Sequence, residues 1–297
     1  MGKRLIIRPA RAADRPAMER ICAHTWEDGD YIPRVWDRWL ADEQGMLLVG
    51  ELDTPPGEIV ALQKITFQTP DQVWLQGMRV DPAYRRQGIA GQFLKYSLAY
   101  ARQLGARVVR LGTGEDNQPV HIIAARAGME RVGVYTCWSA EPLAEGPRPT
   151  ILTPEFLIQV RAFLQASPVF THTHHLTSIR WSWQELSAER AVDFLNSGQM
   201  AAHLTAEGEL AALATIHFIE DEAEMWIGFA DGQPEAVTGL ALAVRVHAGR
   251  VGAAHVRMMV PDVAWLREAF QSAGYGPGDW TGDLWVFERR LAGEAEG

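Results

Sequence analysis

The chain has 297 residues, of which 28 are lysine or arginine and 37 are aspartate or glutamate, so its formal net charge is -9. This acidic balance argues against general binding to nucleic acid or to anionic membranes, because both require a basic surface. A hydrophobic content of 47% is typical of a globular protein, and no apolar run is long enough to cross a bilayer. Two cysteines cannot build a disulfide framework, so a reducing, cytoplasmic setting is expected.

The first half of the chain predicts alternating strands and helices. Residues 5–7 are interpreted as a first strand and not as a signal peptide, because no long apolar stretch or small-residue cleavage site accompanies them. The elements expected after it are a helix at 33–40, antiparallel strands at 46–49, 59–67 and 73–80, a helix at 92–104, a strand at 107–111, a helix at 120–127 and a strand at 131–138.

The most informative segment is the connection between the strand that ends at Val80 and the helix that follows it. This connection contains two arginines, Arg85 and Arg86, and two glycines, Gly88 and Gly91. Glycine lets the backbone approach an anion, the helix N-terminus presents N–H groups, and arginine adds charge-assisted hydrogen bonds. The segment therefore predicts a site for phosphate or pyrophosphate; the alternative is a basic loop with no ligand.

The same segment resembles a known protein family. Residues 85–90, Arg-Arg-Gln-Gly-Ile-Ala, are similar to the Q/R-x-x-G-x-G/A signature of the GCN5-related N-acetyltransferases (GNAT). Residues 117–119, Asn-Gln-Pro, followed by Gly-Met at 128–129, resemble the second motif of that family. The resemblance is clearest over residues 74–138. It implies an α/β (α+β) fold in which a mixed, mostly antiparallel sheet is flanked by helices.

The resemblance also implies acetyl-CoA as the cofactor. In the family, the strand before the loop pairs with the pantetheine arm, and a backbone N–H there faces the thioester oxygen as a small oxyanion hole, a role that falls here to Val80 or Met78. The asparagine of the second motif hydrogen-bonds the cofactor arm in the family; the alternative for it is a turn or helix-cap residue. The residues assigned to the cofactor are Met78, Arg79, Val80, Arg85, Arg86, Gln87, Gly88, Ile89, Ala90, Gly91 and Asn117.

The general base departs from the family pattern. A protonated amine cannot attack, so a nearby carboxylate or water chain is needed, and the glutamate that many members carry on the fourth strand is Gln76 here. Glu27 and Asp28 are assigned as candidates, because they lie among aromatic residues that favour a cationic amine. Asp30 and Glu115 are alternatives, and the acidic loop is otherwise interpreted as a solvated surface.

The general acid departs from the pattern as well. Many members carry a tyrosine seven residues after the motif asparagine, and that position is Ala124 in this chain. Tyr135 is assigned as the substitute, with Tyr84 and His121 as alternatives. A thiolate can also leave unassisted, because the pKa of a thiol is only ~8.5.

The second half repeats the first more faintly. Residues 141–154 are rich in proline, glycine and charge and are interpreted as a linker between a domain at 1–140 and a second at 155–297. Strands at 213–219 and 224–229 and a helix at 236–246 match the elements around the first loop. The sequence therefore predicts two tandem GNAT-like domains.

The second copy is predicted to have lost the cofactor. Its loop position has no arginine and carries Asp231 and Glu235, which would repel a pyrophosphate. The intact loop thus lies in the N-terminal half, whereas mycothiol synthases, which are also tandem GNAT proteins, have their active site in the C-terminal copy. Trp181 and Trp183 have strand spacing and are expected on one strand face.

The resulting functional prediction is an N-acetyltransferase that moves an acetyl group from acetyl-CoA to a primary amine of a small molecule. The alternative is a non-catalytic acyl-CoA-binding or regulatory GNAT-like protein. The expected partners are a small-molecule amine, with no nucleic acid and no membrane, and the chain is expected to be a monomer or a homodimer. No metal is expected, because the histidines at 172–175 lack a third ligand group at a recognisable spacing.

Overall fold

A computed structural model describes residues 4–23, 25, 29–53, 57–278, 280 and 282–291. Backbone contacts divide the chain into two compact units. The first unit comprises residues up to 112, residues 116–131 and residues from 287 onward; the second comprises residues 113–115 and 132–286. The domain limits predicted from the sequence, with a linker at 141–154, stay a prediction.

In the first unit, strands β1 to β5 follow one another in sheet order. The β1–β2, β2–β3 and β3–β4 pairs are antiparallel, and the β4–β5 pair is parallel. The elements are β1 (Leu5–Pro9), α1 (Arg15–Cys22), α2 (Ile32–Leu40), β2 (Gly45–Leu52), β3 (Glu58–Thr69), β4 (Gln72–Val80), α3 (Ile89–Gln103), β5 (Val108–Gly114) and α4 (Gln118–Arg126).

Apolar side chains of α1 and α2 hold these two helices against the sheet. Met18 and Ile21 of α1 and Trp36 of α2 are at most 1% exposed and pack with Leu62 of β3. Each of the two helices has a proline in its first turn, where the missing N–H needs no partner. The C-terminal residues of the chain also belong to this unit, because the fully buried Arg110 of β5 donates to Glu288 at 2.7 Å.

The second unit contains a sheet in the order β6-β13-β12-β11-β10-β7, with β14 on β6, and a separate β8–β9 ribbon. The β12–β13 pair is parallel, as the β4–β5 pair is in the first unit. The elements are β6 (Glu130–Ala140), β7 (Thr150–Ile151), α5 (Leu157–Ala166), α6 (Pro168–His172), β8 (Leu176–Ile179), β9 (Ser182–Glu185), α7 (Ala188–Asn196), β10 (Met200–Leu204), β11 (Leu210–Ile219), β12 (Glu224–Gly232), α8 (Pro234–Arg250), β13 (His255–Pro261), α9 (Ala264–Ser272) and β14 (Gly276–Pro277). The last strand, β15 (Asp283–Arg290), begins in this unit, and its residues from 287 onward belong to the first.

The predicted fold class is confirmed: each unit is a mixed sheet with helices packed on it, and the predicted strands and helices of both halves are present. The expectation for the tryptophan pair is wrong. Trp181 lies in the turn before β9 begins at Ser182, so strand alternation does not govern it; it is 39% exposed, whereas Trp183 is fully buried. No helix within the described ranges is both long enough and apolar enough to span a membrane.

Candidate cofactor and active site

The C-terminal half of β4 has one edge outside the β4–β5 pairing. The register between β4 and β5 ends at Leu75 and Leu111, although β4 continues to Val80. Along its other edge β4 follows β3, with a bulge that shifts the register between Gln76 and Arg79. Gly77 lies in this bulge with φ of 65°, and a Cβ there would be 2.7 Å from the Trp39 ring, so only glycine fits.

The last residues of β4 present backbone groups on this outer edge. The Asp81 N–H donates to the Val60 carbonyl of β3 at 2.8 Å. Because backbone N–H groups alternate in direction along a strand, the Val80 N–H points away from β3, towards the edge that β5 has left. The Val80 N–H is thus directed to an edge that lies beyond the β4–β5 register, and Met78 follows the bulge directly. The predicted contact of Val80 or Met78 with a thioester oxygen stays a prediction.

The Arg79 side chain is engaged inside the first unit. Its guanidinium donates to both carboxylate oxygens of Asp30, at 2.7 and 3.2 Å, and lies 5.6 Å from the centre of the Tyr31 ring. Burial is the largest single influence and would raise the pKa of Asp30, but the hydrogen bond and the charge of Arg79, together with the Ile32 N–H and the Thr25 hydroxyl, outweigh it, so the pKa lies below its usual value. Asp30 is thus held ionised in an ion pair, which makes it a poor general base.

The loop after β4 adopts a conformation suited to an anion. The Asp81 carboxylate pairs with Arg20 and accepts from the Ala83 N–H at 2.9 Å, which fixes the first turn of the loop. Arg86 and Gly88 both have left-handed backbone, with φ of 62° and 77°. For an arginine this conformation costs about 1 kcal/mol, and alternation of backbone handedness is what forms anion-binding nests of N–H groups.

The glycines of the loop leave an open surface at the start of α3. At Gly88 and at Gly91, a Cβ would meet nothing within 4 Å among the described residues. The first helical hydrogen bond runs from the Gln92 N–H to the Gly88 carbonyl at 3.1 Å, so the N–H groups of residues 89–91 point out of the helix end. An anion can approach the backbone here without displacing a side chain, and the helix dipole favours it.

The two loop arginines lie in different environments. The Arg85 side chain turns back, and its Nε donates to the Val80 carbonyl at 3.2 Å. Arg86, Gln87 and Gly88 are exposed at the loop tip. Arg86 is therefore the side chain best placed to add charge-assisted hydrogen bonds to a bound phosphate.

Asn117 occupies the N-cap position of α4, but its side chain makes no capping hydrogen bond there, and the residue is exposed. A capping role therefore does not account for it. Ala124, at the position of the family tyrosine, is fully buried on α4. A tyrosine at that position would have to enter the core of the first unit.

The predicted catalytic residues are not brought together by the described structure. Glu27 and Asp28 lie outside the described residues. Tyr135 belongs to the second unit, where it is 3% exposed and its ring lies 4.9 Å from that of Trp183. Of the alternatives, the Tyr84 hydroxyl donates to Glu58 at 2.6 Å, which raises the pKa of Tyr84 and makes it a weaker acid.

One titratable group near β4 had not been singled out in the sequence. Lys64 of β3 is 1% exposed, pairs in register with Gln76 of β4, and lies 2.5 Å from the Asp42 carboxylate. Burial lowers the pKa of Lys64, and Asp42 opposes this shift without cancelling it. No local pattern could have shown this, because a lysine in a half-polar strand is usually exposed. Within the described residues, no group of three histidine, cysteine or acidic side chains could hold a metal.

Comparison with known proteins agrees with this geometry. Residues 13–129, which are less than half of the chain, match the model of the acetyltransferase (GNAT) family. A GCN5-related N-acetyltransferase from Sphaerobacter thermophilus has a similar fold, with a TM-score of 0.61 and 17% identity over 96% of this chain and 95% of its own. A glucosamine N-acetyltransferase region of a fungal multi-domain β-N-acetylglucosaminidase gives a TM-score of 0.58 at 13% identity, over 97% of this chain and 38% of its own. No protein with a curated description matches the sequence.

Proposed function

We propose that the protein is an N-acetyltransferase that moves an acetyl group from acetyl-CoA to a primary amine of a small molecule, with the cofactor bound by the first unit alone. The observation that carries the proposal is a pair of neighbouring features, one at the end of β4 and one in the loop that follows it. The open edge at Val80 and the nest of N–H groups that begins at Arg86 follow each other directly along the chain. Together they suit a ligand with an amide-containing arm and a pyrophosphate.

Acetyl-CoA, when bound, supplies the acetyl group as a thioester. In the proposed arrangement, the N–H groups of residues 86–91 and the Arg86 side chain bind the pyrophosphate. The Val80 N–H polarises the thioester carbonyl as its oxygen gains charge, and Asn117 orients the arm. The C–N bond to the amine forms, the C–S bond breaks, and the ammonium proton passes to a base. We propose Glu27 or Asp28 as that base. Tyr135 is buried against Trp183 in the second unit and is not used in this proposal; the thiolate leaves unassisted, because the pKa of a thiol is only ~8.5.

We further propose that the second unit is a degenerate copy of the first. In support, β12 ends at Gly232 and α8 begins at Pro234, which leaves only Gln233 for a loop. The Asp231 carboxylate, which the sequence suggested would repel a pyrophosphate, is buried and accepts hydrogen bonds from Ser167 and from the Gly232 N–H. A second cofactor would have to displace these contacts.

Titration calorimetry with acetyl-CoA tests the location of the site. We expect one site per chain, and loss of at least about 100-fold in affinity, or about 2.8 kcal/mol, when Arg86→Glu and Gly88→Glu are combined. Two sites per chain, or an unchanged affinity in this variant, would overturn the assignment. Circular dichroism of the variant controls for unfolding.

Catalysis is tested by release of free thiol from acetyl-CoA in the presence of small amines. Amino sugars belong in this set because one structural neighbour carries a glucosamine N-acetyltransferase region. The second candidate function, a non-catalytic acyl-CoA-binding protein, is favoured by Gln76 and by the buried Ala124, neither of which can transfer a proton. Binding at one site with no thiol release for any amine would support that alternative. We place the protein in the cytoplasm as a monomer or homodimer, in keeping with its two free cysteines, Cys22 and Cys137.

A further inference from the structure

The second unit contains a cavity of about 340 Å³ that the proposed acetyl transfer does not use. We call it the tryptophan pocket. Its walls come from the turn between β8 and β9, the β11–β12 hairpin, β13 and the segment before β15. The lining residues are Trp181, Glu222, Glu224, Trp226, Arg257 and Trp280.

Three indole rings of this pocket form two edge-to-face pairs that share Trp181. Trp181 lies 6.0 Å from Trp226 and 5.9 Å from Trp280 between ring centroids, with interplanar angles of 68° and 66°. Trp226 is 1% exposed and forms the floor, while Trp181 is 39% exposed and forms the rim. Rings at steep angles present more than one electron-rich face to a single guest, which is the arrangement that attracts a cation.

Hydrogen bonds hold the floor of the pocket rigid. Glu224 accepts from the Trp226 indole N–H at 2.9 Å and from the Arg257 Nε at 2.8 Å, so each of its oxygens has a donor. Arg257 is also the register partner of Trp226 on the neighbouring strand. The floor therefore keeps its shape without a ligand, and little ordering is needed on binding.

The rim of the tryptophan pocket is held by ion pairs of Arg180 and carries acidic side chains. Arg180, in the left-handed region with φ of 56°, places Trp181 at the tip of the β8–β9 turn and pairs with Asp221 at 2.8 Å and Glu222 at 3.3 Å. The lining itself carries two carboxylates and one guanidinium. Counting Arg180 and Asp221 with them leaves one negative charge in excess, which matches a single positive charge on a guest.

We propose that the tryptophan pocket binds an organic cation with a methylated, tertiary or quaternary, ammonium group. A primary ammonium has three N–H donors that need acceptors once water is removed. Each oxygen of Glu224 already accepts one hydrogen bond and Glu222 pairs with Arg180, so a primary ammonium would have to share these carboxylates with other donors. A methylated ammonium needs no such acceptor and gains from the indole faces.

This inference goes beyond the proposed acetyl transfer and does not depend on it. The test is a calorimetric titration of the full chain, without acetyl-CoA, with choline and with 3,3-dimethylbutan-1-ol, in which a neutral carbon replaces the choline nitrogen. The two probes have the same shape and differ only in charge. We therefore expect choline to bind at least about tenfold more tightly than 3,3-dimethylbutan-1-ol, because only choline gains from the attraction of a cation to the indole faces. Trp181→Ala and Glu222→Gln should each weaken choline binding severalfold.

Glu220→Gln is the matched control, because it removes the same charge from the same hairpin at an exposed residue outside the lining. It should leave choline binding unchanged. Equal binding of the two probes would show an apolar cleft and overturn the proposal. So would tighter binding of a primary amine such as ethanolamine, an unaffected Trp181→Ala variant that retains its fold by circular dichroism, or no saturable binding up to about 10 mM.

Discussion

Strands β4 and β12 have the same pairing in their two units, but the connections that follow them differ in length. Each strand pairs in parallel with the next over four residues, Gln72–Leu75 in the first unit and Glu224–Ile227 in the second, and each has a bulge at a glycine just beyond. Residues 81–88 then form a loop before α3, whereas only Gln233 separates β12 from α8. The two units therefore share the pairing of this strand and differ in the connection that follows it.

The glycine of each bulge is covered by a different kind of group. At Gly77 the Trp39 side chain covers the bulge, while at Gly228 the covering atoms are the Ser178 carbonyl and the Thr177 hydroxyl of β8. The Ser178 hydroxyl also faces the Gly228 carbonyl at 3.5 Å. In the second unit, β8 therefore lies over the bulge of β12, at the position where we propose that the first unit binds the cofactor arm.

The largest expected effect tests this coverage. In Gly228→Ala the added Cβ would lie 2.6 Å from the Thr177 Oγ1 and would collide with the Ser178 backbone, which cannot rotate away. We expect a loss of about 3 kcal/mol in the free energy of unfolding, measured by urea denaturation. A loss below about 0.5 kcal/mol would mean that β8 does not lie against β12 in solution.

A second effect of similar size concerns acid stability of the second unit. His217 of β11 is buried, and desolvation followed by the charge of Arg190 lowers its pKa to about 4. The unfolded chain, with a histidine pKa of ~6.5, binds more protons between these values, so stability falls as the pH falls. At the matching position of β3, opposite Trp74 as His217 is opposite Trp226, the first unit has the uncharged Thr66.

Unfolding free energies measured at pH 7.5 and at pH 4 test this difference. His217 should contribute a loss of about 3 kcal/mol by pH 4 relative to His217→Leu, which removes the titration. The carboxylates present in both proteins change the free energy of unfolding equally between the two pH values. The difference between the wild type and the variant therefore reports the protonation of His217. Parallel pH profiles for the wild type and the variant would show that His217 titrates normally.

Sequence reasoning predicted those features that depend on local pattern. The strand, loop and helix around Arg86 and Gly88 follow from periodicity and from glycine placement, and they are present. The predicted role of Gly88 and Gly91 in binding an anion stays a prediction. The ion pair of Arg79 with Asp30 could not be predicted, because 49 residues separate the partners and only the tertiary fold joins them. The β8–β9 ribbon was predicted only in part. The spacing of Trp181 and Trp183 indicated a strand, but β8 and the turn at Arg180 and Trp181 were not predicted, because each strand has only four residues and gives a weak periodic signal.

A glutamine-to-glutamate substitution can be made both in the loop after β4 and at the single residue between β12 and α8, which compares the two units directly. Gln87→Glu adds a negative charge to the proposed pyrophosphate site and should weaken acetyl-CoA binding about tenfold, or about 1.4 kcal/mol. Gln233→Glu adds the same charge at the start of α8 and should leave the affinity within about twofold of the wild type. Calorimetry on the two variants in parallel measures both. Equal weakening by the two substitutions would indicate a general charge effect and not a local site.

The smallest expected effect comes from one added methyl group, which should change the stability of the protein and its affinity for acetyl-CoA in opposite directions. Gly91 lies in the first turn of α3 with ordinary helical backbone, and a Cβ there meets nothing within 4 Å. Gly91→Ala should therefore raise the free energy of unfolding by about 0.5 kcal/mol, since alanine favours the helix over glycine. The same methyl group would stand on the surface that an anion must approach, so acetyl-CoA affinity should fall severalfold. A variant that is more stable and binds acetyl-CoA as well as the wild type would show that the cofactor does not lie against this turn, and a variant that loses both would show that the turn is packed.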